Sequence, residues 1–166
     1  MRTPICSVCL QSDILCARCR KNIESGKISK QGVEIIRNLH YLSKSVKSLE
    51  NVNIEKVIDM DSLLVIVCQK GDVANLVGKD GRITNGLRKN FGKQIKVIGK
   101  EDNKSMISNL MFPAKIDGIG KLYSNGAESL KISLQKNQLG NLPAKKEDLL
   151  TAAAEISGMP VEFSVQ

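Results

Sequence analysis

The residues with the clearest chemistry are four cysteines near the start of the 166-residue chain. Cys6 and Cys9 form one Cys-x-x-Cys pair, and Cys16 and Cys19 form a second pair after a short spacer. Each pair can turn both thiolates toward one ion, so the two pairs supply the four sulfur ligands of a tetrahedral site. The spacing therefore predicts one structural zinc ion. Iron, two disulfides and a redox pair are the alternatives, and the redox pair lacks the βαβ context it requires.

The segment that holds these cysteines, residues 1–26, is too short and too polar to bury a core by itself. Metal binding must then supply its folding energy. No apolar run reaches the ~18 residues of a membrane span, and the N-terminal residues lack the apolar stretch of a signal peptide. We therefore expect a cytoplasmic protein without a membrane partner, where cysteines stay reduced. The fifth cysteine, Cys68, ends an apolar strand and is expected to be a small buried side chain.

A second motif with possible chemistry is the tetrapeptide Gly78-Lys79-Asp80-Gly81, which separates two predicted helices. Glycine at both ends permits a tight reversal and lets another backbone approach closely. Amides exposed near a helix N-terminus attract phosphate oxygens. From Lys79 to Lys100 the chain has one acid, Asp80, and seven cations: Lys79, Arg82, Arg88, Lys89, Lys93, Lys96 and Lys100.

The charge is distributed unevenly along the chain, whose net charge is +8. The excess is +5 in residues 1–50 and +4 in residues 51–100, whereas residues 101–166 carry −1. A polyanionic partner is therefore expected to meet the first two-thirds of the chain.

The elements around the tetrapeptide follow from apolar periodicity. The pattern predicts a helix from Ser29 to Leu49, strands over 54–58 and 63–68, helices over 72–77 and 82–91, and a strand over 94–98. The remainder repeats this order, with a helix over 104–112, strands over 115–122 and 129–135, a helix over 145–157 and a strand over 161–165. An internal duplication of an α+β unit is the simplest explanation.

The sequence from Val77 to Ile83, followed by Leu87 and by Gly92 to Val97, resembles the signature of a type II K-homology (KH) domain. That resemblance implies a fold that clamps about four single-stranded nucleotides with its Gly-x-x-Gly loop and an aliphatic groove. It implies that Val73 and Leu76 line or support the groove, and that Thr84 replaces a usually aliphatic residue. The residues expected to contact RNA are Val77, Gly78, Lys79, Asp80, Gly81, Arg82, Ile83, Leu87, Arg88 and Lys89.

The continuation from Met106 to Lys115 is similar to the junction that opens the second KH domain of NusA, so the chain resembles short archaeal NusA-like proteins. The expected organisation is a four-cysteine zinc knuckle in 1–26, a KH domain in 27–100 and a second KH domain in 101–166. The second copy has Leu139-Gly140-Asn141-Leu142-Pro143 at its loop. Because proline fixes φ and lacks an amide donor, we expect this copy to be degenerate.

The sequence thus predicts a single-stranded RNA-binding protein, not an enzyme, that acts in transcription elongation, termination or antitermination, or in RNA maturation. RNA polymerase or a ribonucleoprotein complex is the expected partner, and single-stranded DNA remains an alternative ligand. A second hypothesis is an adaptor that binds proteins through the zinc knuckle and the second copy, its RNA contact being vestigial. A thiol oxidoreductase is the third.

Overall fold

The computed structural model describes residues 1–166, the whole chain, as a mixed α+β protein with two three-stranded sheets. The mixed class confirms the sequence-based prediction at that level. The chain divides into two compact units, residues 1–100 and residues 101–166. None of its helices combines the length and the apolar character that crossing a bilayer requires.

The first unit contains five α-helices and three strands. They are α1 Ser7–Gln11, α2 Ala17–Glu24, α3 Lys30–Ser43, β1 Ile54–Asp59, β2 Leu63–Cys68, α4 Val73–Val77, α5 Arg82–Phe91 and β3 Gln94–Gly99. Strand β2 lies in the middle of the sheet, antiparallel to β1 and parallel to β3. Every residue of β2 is apolar and buried, as expected for a central strand.

The core of this unit joins the cysteine segment to the sheet. Ile5 and Leu10 from the cysteine segment belong to the same buried cluster as Ile36 and Leu39 of α3 and Leu64 of β2. Burying one such side chain stabilises the fold by roughly 1.5–3 kcal/mol. Residues 1–26 therefore pack as part of the first unit and share its core.

Helix α3 begins as the sequence predicts but ends earlier. The Ser29 hydroxyl accepts a hydrogen bond from the Gly32 N–H at 2.9 Å and caps the helix. The helix ends at Ser43, and a short 3-10 turn over Lys47–Leu49 replaces its expected last turns. Hydroxyls compete with the helical backbone here, since Ser43 Oγ donates to the carbonyl of His40 at 2.6 Å. The predicted helix is too long because Leu49 fits the apolar spacing of a helix, although it is buried from the 3-10 turn.

Asp72 occupies the N-cap position of α4, a position that its residue type favours, but its side chain does not cap the helix. Its Oδ2 instead accepts a hydrogen bond from the Asn53 N–H at 2.9 Å. The carboxylate therefore ties the start of α4 to the chain that enters β1.

The second unit contains α6 Asn103–Met111, β4 Ile116–Ser124, β5 Ala127–Leu134, α7 Lys146–Ser157 and β6 Val161–Val165. Strand β5 is antiparallel to β4 and parallel to β6, so this sheet repeats the topology of the first one. Asn125 and Gly126 form the hairpin tip with φ of 51° and 78°, and an Asn-Gly pair is favoured in such two-residue turns because both positions need positive φ. The core contains Ile107, Leu110, Leu130 and Leu149.

Candidate functional site

The four N-terminal cysteines converge on one point. Cys6 and Cys16 are the N-cap residues of α1 and α2, and Cys9 and Cys19 lie in the first turns of these helices. All four Sγ atoms lie within 4.8 Å of one another. Four sulfurs bound at about 2.3 Å in a tetrahedron are about 3.8 Å apart, so a small contraction around a metal ion completes the site.

Backbone amides of each cysteine pair point at a sulfur of the other pair. The Cys6 N–H donates to Cys19 Sγ at 3.3 Å, and the Cys16 N–H donates to Cys9 Sγ at 3.2 Å. The N–H of Cys19 lowers the pKa of Cys16 to about 7, whereas burial raises the pKa of Cys19 to about 12. A buried thiol beside three others is a poor acid, and a cation supplies the charge that makes four thiolates stable together.

Two side chains outside the cysteine pairs hold this segment in place. Arg37, on α3, donates from Nε and Nη2 to the carbonyl of Cys9 at 3.1 Å, and from Nη2 to the carbonyl of Ser12. Asn22 Nδ2 donates to the carbonyl of Pro4 at 2.7 Å. The sequence alone does not reveal this role of Arg37. The helical periodicity of α3 placed it beside buried Val33 and Ile36, but its carbonyl partners lie more than twenty residues away in sequence.

Gly78–Gly81 forms a fixed turn between α4 and α5. Gly78 has φ 77° and ψ 170°, a conformation that is open essentially only to glycine. A Cβ atom added at Gly78 would lie 2.8 Å from Cγ1 of Ile83, so there is no space for one either. At the other end Gly81 has φ 73°, and the hydroxyl of Thr84 donates to its carbonyl at 3.1 Å. Thr84 thus bonds the backbone at the end of this turn.

The backbone amides of the turn divide into two groups. The N–H groups of Gly78, Gly81 and Arg82 donate to carbonyls within the turn or the preceding helix. Those of Lys79 and Asp80 donate to no carbonyl of the chain, and both residues are exposed. Two neighbouring free donors at an exposed turn form an arrangement suited to anionic oxygen.

The structure separates the seven cations between Lys79 and Lys100 by their surroundings. Lys93 Nζ contacts Asp59 Oδ1 at 2.6 Å and the carbonyl of Met60, and Lys100 pairs with Glu55 at 2.9 Å. Burial, followed by the charge of Arg88, lowers the pKa of Lys96. The four remaining cations are exposed and have no ion-pair partner in the chain: Lys79, Arg82, Arg88 and Lys89. They belong to the turn and to α5.

The aliphatic residues expected to form a groove are not equally accessible. Leu76 and Leu87 are buried in the core, at 1% and 2% exposure, and so support the turn from below. Val73 and Ile83 are half-buried against the core. Val77 is half-buried beside Gly78. Val73, Val77 and Ile83 are therefore the aliphatic side chains that retain surface next to the turn.

The second unit has no equivalent of this turn. In the corresponding place a 3-10 segment covers Lys136–Asn141, and the chain is extended at Leu142 before Pro143. Gly140 does not have a positive φ, unlike Gly78 and Gly81. The turn with a positive-φ glycine at each end therefore occurs at residues 78–81 and not at the corresponding place in the second unit.

Comparisons with known proteins give information on the fold alone. No protein-family profile matches the sequence, and no curated protein sequence matches it. The chain is similar to a solved structure titled "Crystal structure of APE1850", with a TM-score of 0.58 and 20% sequence identity. The similarity covers 84% of this chain and 100% of the other.

Proposed function

We propose that this protein binds single-stranded RNA at the Gly78–Gly81 turn and has no chemistry of its own. The observation that supports this most is the pair of free amides at Lys79 and Asp80, flanked by four exposed cations without ion-pair partners. Nucleic-acid phosphates accept hydrogen bonds from free backbone amides and attract cationic side chains. The aliphatic surface of Val77 and Ile83 beside them can contact unpaired bases.

The organisation of the first unit supports a KH-type reading of this turn. Its elements follow the order helix, strand, strand, helix, Gly-x-x-Gly, helix, strand, which the resemblance to type II KH domains implies. A platform that stacks bases on aromatic rings is the main alternative for single strands. The chain has only two Tyr and three Phe, and in the first unit these are Tyr41 on α3 and Phe91 on α5, so backbone clamping is favoured.

A charge reversal at the loop tip tests the proposal. Lys79→Asp places two neighbouring carboxylates, with Asp80, where phosphates would lie, so we expect at least a tenfold loss of affinity for a short unstructured RNA. Lys136→Asp makes the same charge change at an exposed residue of the second unit and serves as the control. Fluorescence anisotropy measures the affinities, and urea unfolding checks that both variants fold. Equal affinity of Lys79→Asp and the unmodified protein would refute the proposal.

We also propose zinc as the ion held by Cys6, Cys9, Cys16 and Cys19, because four thiolates in a closed tetrahedron are typical of structural zinc. Native mass spectrometry should find one zinc per chain. Cys16→Ser should lower this content, whereas Cys68→Ala should not, since Cys68 lies in β2 and is not among the four cysteines that converge. A metal-free protein whose cysteines oxidise reversibly would instead favour the oxidoreductase hypothesis.

The resemblance to NusA-like proteins extends the proposal to a cytoplasmic role in transcription elongation, termination or antitermination, or in RNA maturation. RNA polymerase or a ribonucleoprotein complex would then be the partner. The second unit, as a degenerate KH domain, would meet protein rather than RNA. Its net charge of −1 and its lack of the glycine turn support this role.

An adaptor is the second candidate function, because the β4–β5 hairpin carries apolar side chains into solvent. Tyr123 is 71% exposed and Leu122 is 36% exposed. If this hairpin binds a protein, Tyr123→Ser should abolish an association that survives nuclease treatment. Loss of the same association on nuclease treatment would instead favour RNA as the link.

A further inference from the structure

We propose that helix α2 of the cysteine segment provides a second contact for the RNA backbone, through Arg18 and Lys21. This inference rests on the proposed function, because it concerns the same strand that the Gly78–Gly81 turn would hold. It implies a binding footprint longer than the four nucleotides of a KH domain alone.

Arg18 and Lys21 form a small cationic surface. They are three residues apart in α2 and so lie on neighbouring positions of one helix face. Both are exposed, and neither side chain has a hydrogen bond or an ion pair within the chain. Each can therefore meet a phosphate without breaking an existing contact.

The acids of the cysteine segment line a cleft that Arg18 and Lys21 do not line. The two acids in residues 1–27 are Asp13 and Glu24, and both line a cleft of about 500 Å³ between α2 and α3 together with Arg20. Arg20 thus lines this cleft together with both acids, whereas Arg18 and Lys21 do not line it. Neither Asp13 nor Glu24 forms an ion pair with Arg18 or Lys21.

Helix α2 is held firmly by contacts behind this surface. Cys19 is 1% exposed within the core cluster, Ile23 packs against that cluster, and Asn22 bonds the Pro4 carbonyl. Once the metal is bound, the backbone of α2 needs no further ordering to meet RNA, and the two side chains are the groups that lose freedom on binding. Because residues 1–100 form one compact unit, α2 and the turn keep fixed positions relative to each other, and the proposal is that one strand meets both.

A different role for Arg18 and Lys21 follows from the metal. Four thiolates around a divalent cation carry a formal charge of −2, and nearby cations would offset it. In that case removing the two cations weakens metal retention and leaves RNA affinity unchanged.

The test compares unstructured uridine oligonucleotides of 5 and 20 nucleotides, with the metal-loaded full chain at about 100 mM salt. Each single-strand phosphate contact contributes about fivefold under these conditions. The double variant Arg18→Gln/Lys21→Gln should therefore bind the 20-mer about 25-fold more weakly and leave the 5-mer unaffected. The control, Lys104→Gln/Lys136→Gln, removes the same charge from exposed residues of the second unit and should retain affinity for both RNAs.

The inference would be overturned if the double variant bound the 20-mer with unchanged affinity, or if the control variant lost as much affinity for the 20-mer as the double variant. Loss of zinc from the double variant without loss of RNA affinity would overturn it as well. Zinc content and urea unfolding are measured for each protein. Failure of the proposed function has a different signature, since the unmodified protein would then bind neither RNA, or would bind both regardless of Lys79→Asp.

Discussion

Because four of the seven cations between Lys79 and Lys100 have no ion-pair partner, the structure predicts how steeply RNA affinity falls as the salt concentration rises. A cation that meets one phosphate of a single strand contributes about −0.7 to the slope of log affinity against log salt. With Lys79, Arg82, Arg88 and Lys89 each on one phosphate, a five-nucleotide RNA should give a slope of about −2.8. Its affinity should then fall about 50-fold between 50 and 200 mM salt.

Single substitutions test this assignment residue by residue. Lys79→Gln, Arg82→Gln, Arg88→Gln and Lys89→Gln should each reduce the slope to about −2.1, so that the same salt change weakens binding about 18-fold. Lys100→Gln removes the same charge, but Lys100 is paired with Glu55 at 2.9 Å, so the slope should stay near −2.8. Anisotropy titrations at four salt concentrations give each slope. A Lys100→Gln slope that falls like the others, or four slopes that do not change, would refute the assignment.

Four further substitutions test the stability of the first unit, each measured by urea unfolding of the metal-loaded protein. Gly78→Ala should destabilise the first unit by about 2 kcal/mol, because alanine is strained in the backbone conformation of Gly78 and its Cβ would contact Ile83. Gly86→Ala should instead stabilise the unit by up to about 1 kcal/mol, because Gly86 lies in α5 with open space around it. Arg37→Met removes the hydrogen bonds to the carbonyls of Cys9 and Ser12, so it should lower the free energy of unfolding by about 2 kcal/mol. It should also weaken zinc binding in a chelator competition. Full retention of zinc would contradict the positioning role of Arg37. His40→Leu removes a buried Nε2 that has no hydrogen-bond partner, so it should stabilise the fold by about 1 kcal/mol. A loss of stability would instead indicate that this nitrogen has a partner in solution.

The sequence predicts much of this fold because its local signals agree with the tertiary structure. Strand β2 is apolar throughout and lies in the centre of its sheet. Ser29 caps α3, as its residue type favours. Asn125-Gly126 forms the hairpin tip. In each case the signal lies within a few residues, so it survives without knowledge of distant contacts.

The features that the sequence does not reveal depend on distant partners. Asp72 has the residue type of an N-cap, yet its carboxylate binds the backbone of Asn53 in another part of the chain. Lys93 and Lys100 have the same residue type as Lys79, and only the fold shows that they are paired with Asp59 and Glu55. Residue types and spacing indicate a basic region, whereas the identity of its free cations requires the structure.

Amide chemical-shift mapping of the full chain with a five-nucleotide RNA tests the central claim most directly. The backbone N–H groups of Lys79 and Asp80 have no acceptor in the chain, so they should show the largest saturable shifts, with smaller shifts along α5 at Arg82 and Arg88. Unchanged Lys79 and Asp80 signals, with shifts concentrated in residues 101–166, would contradict the account.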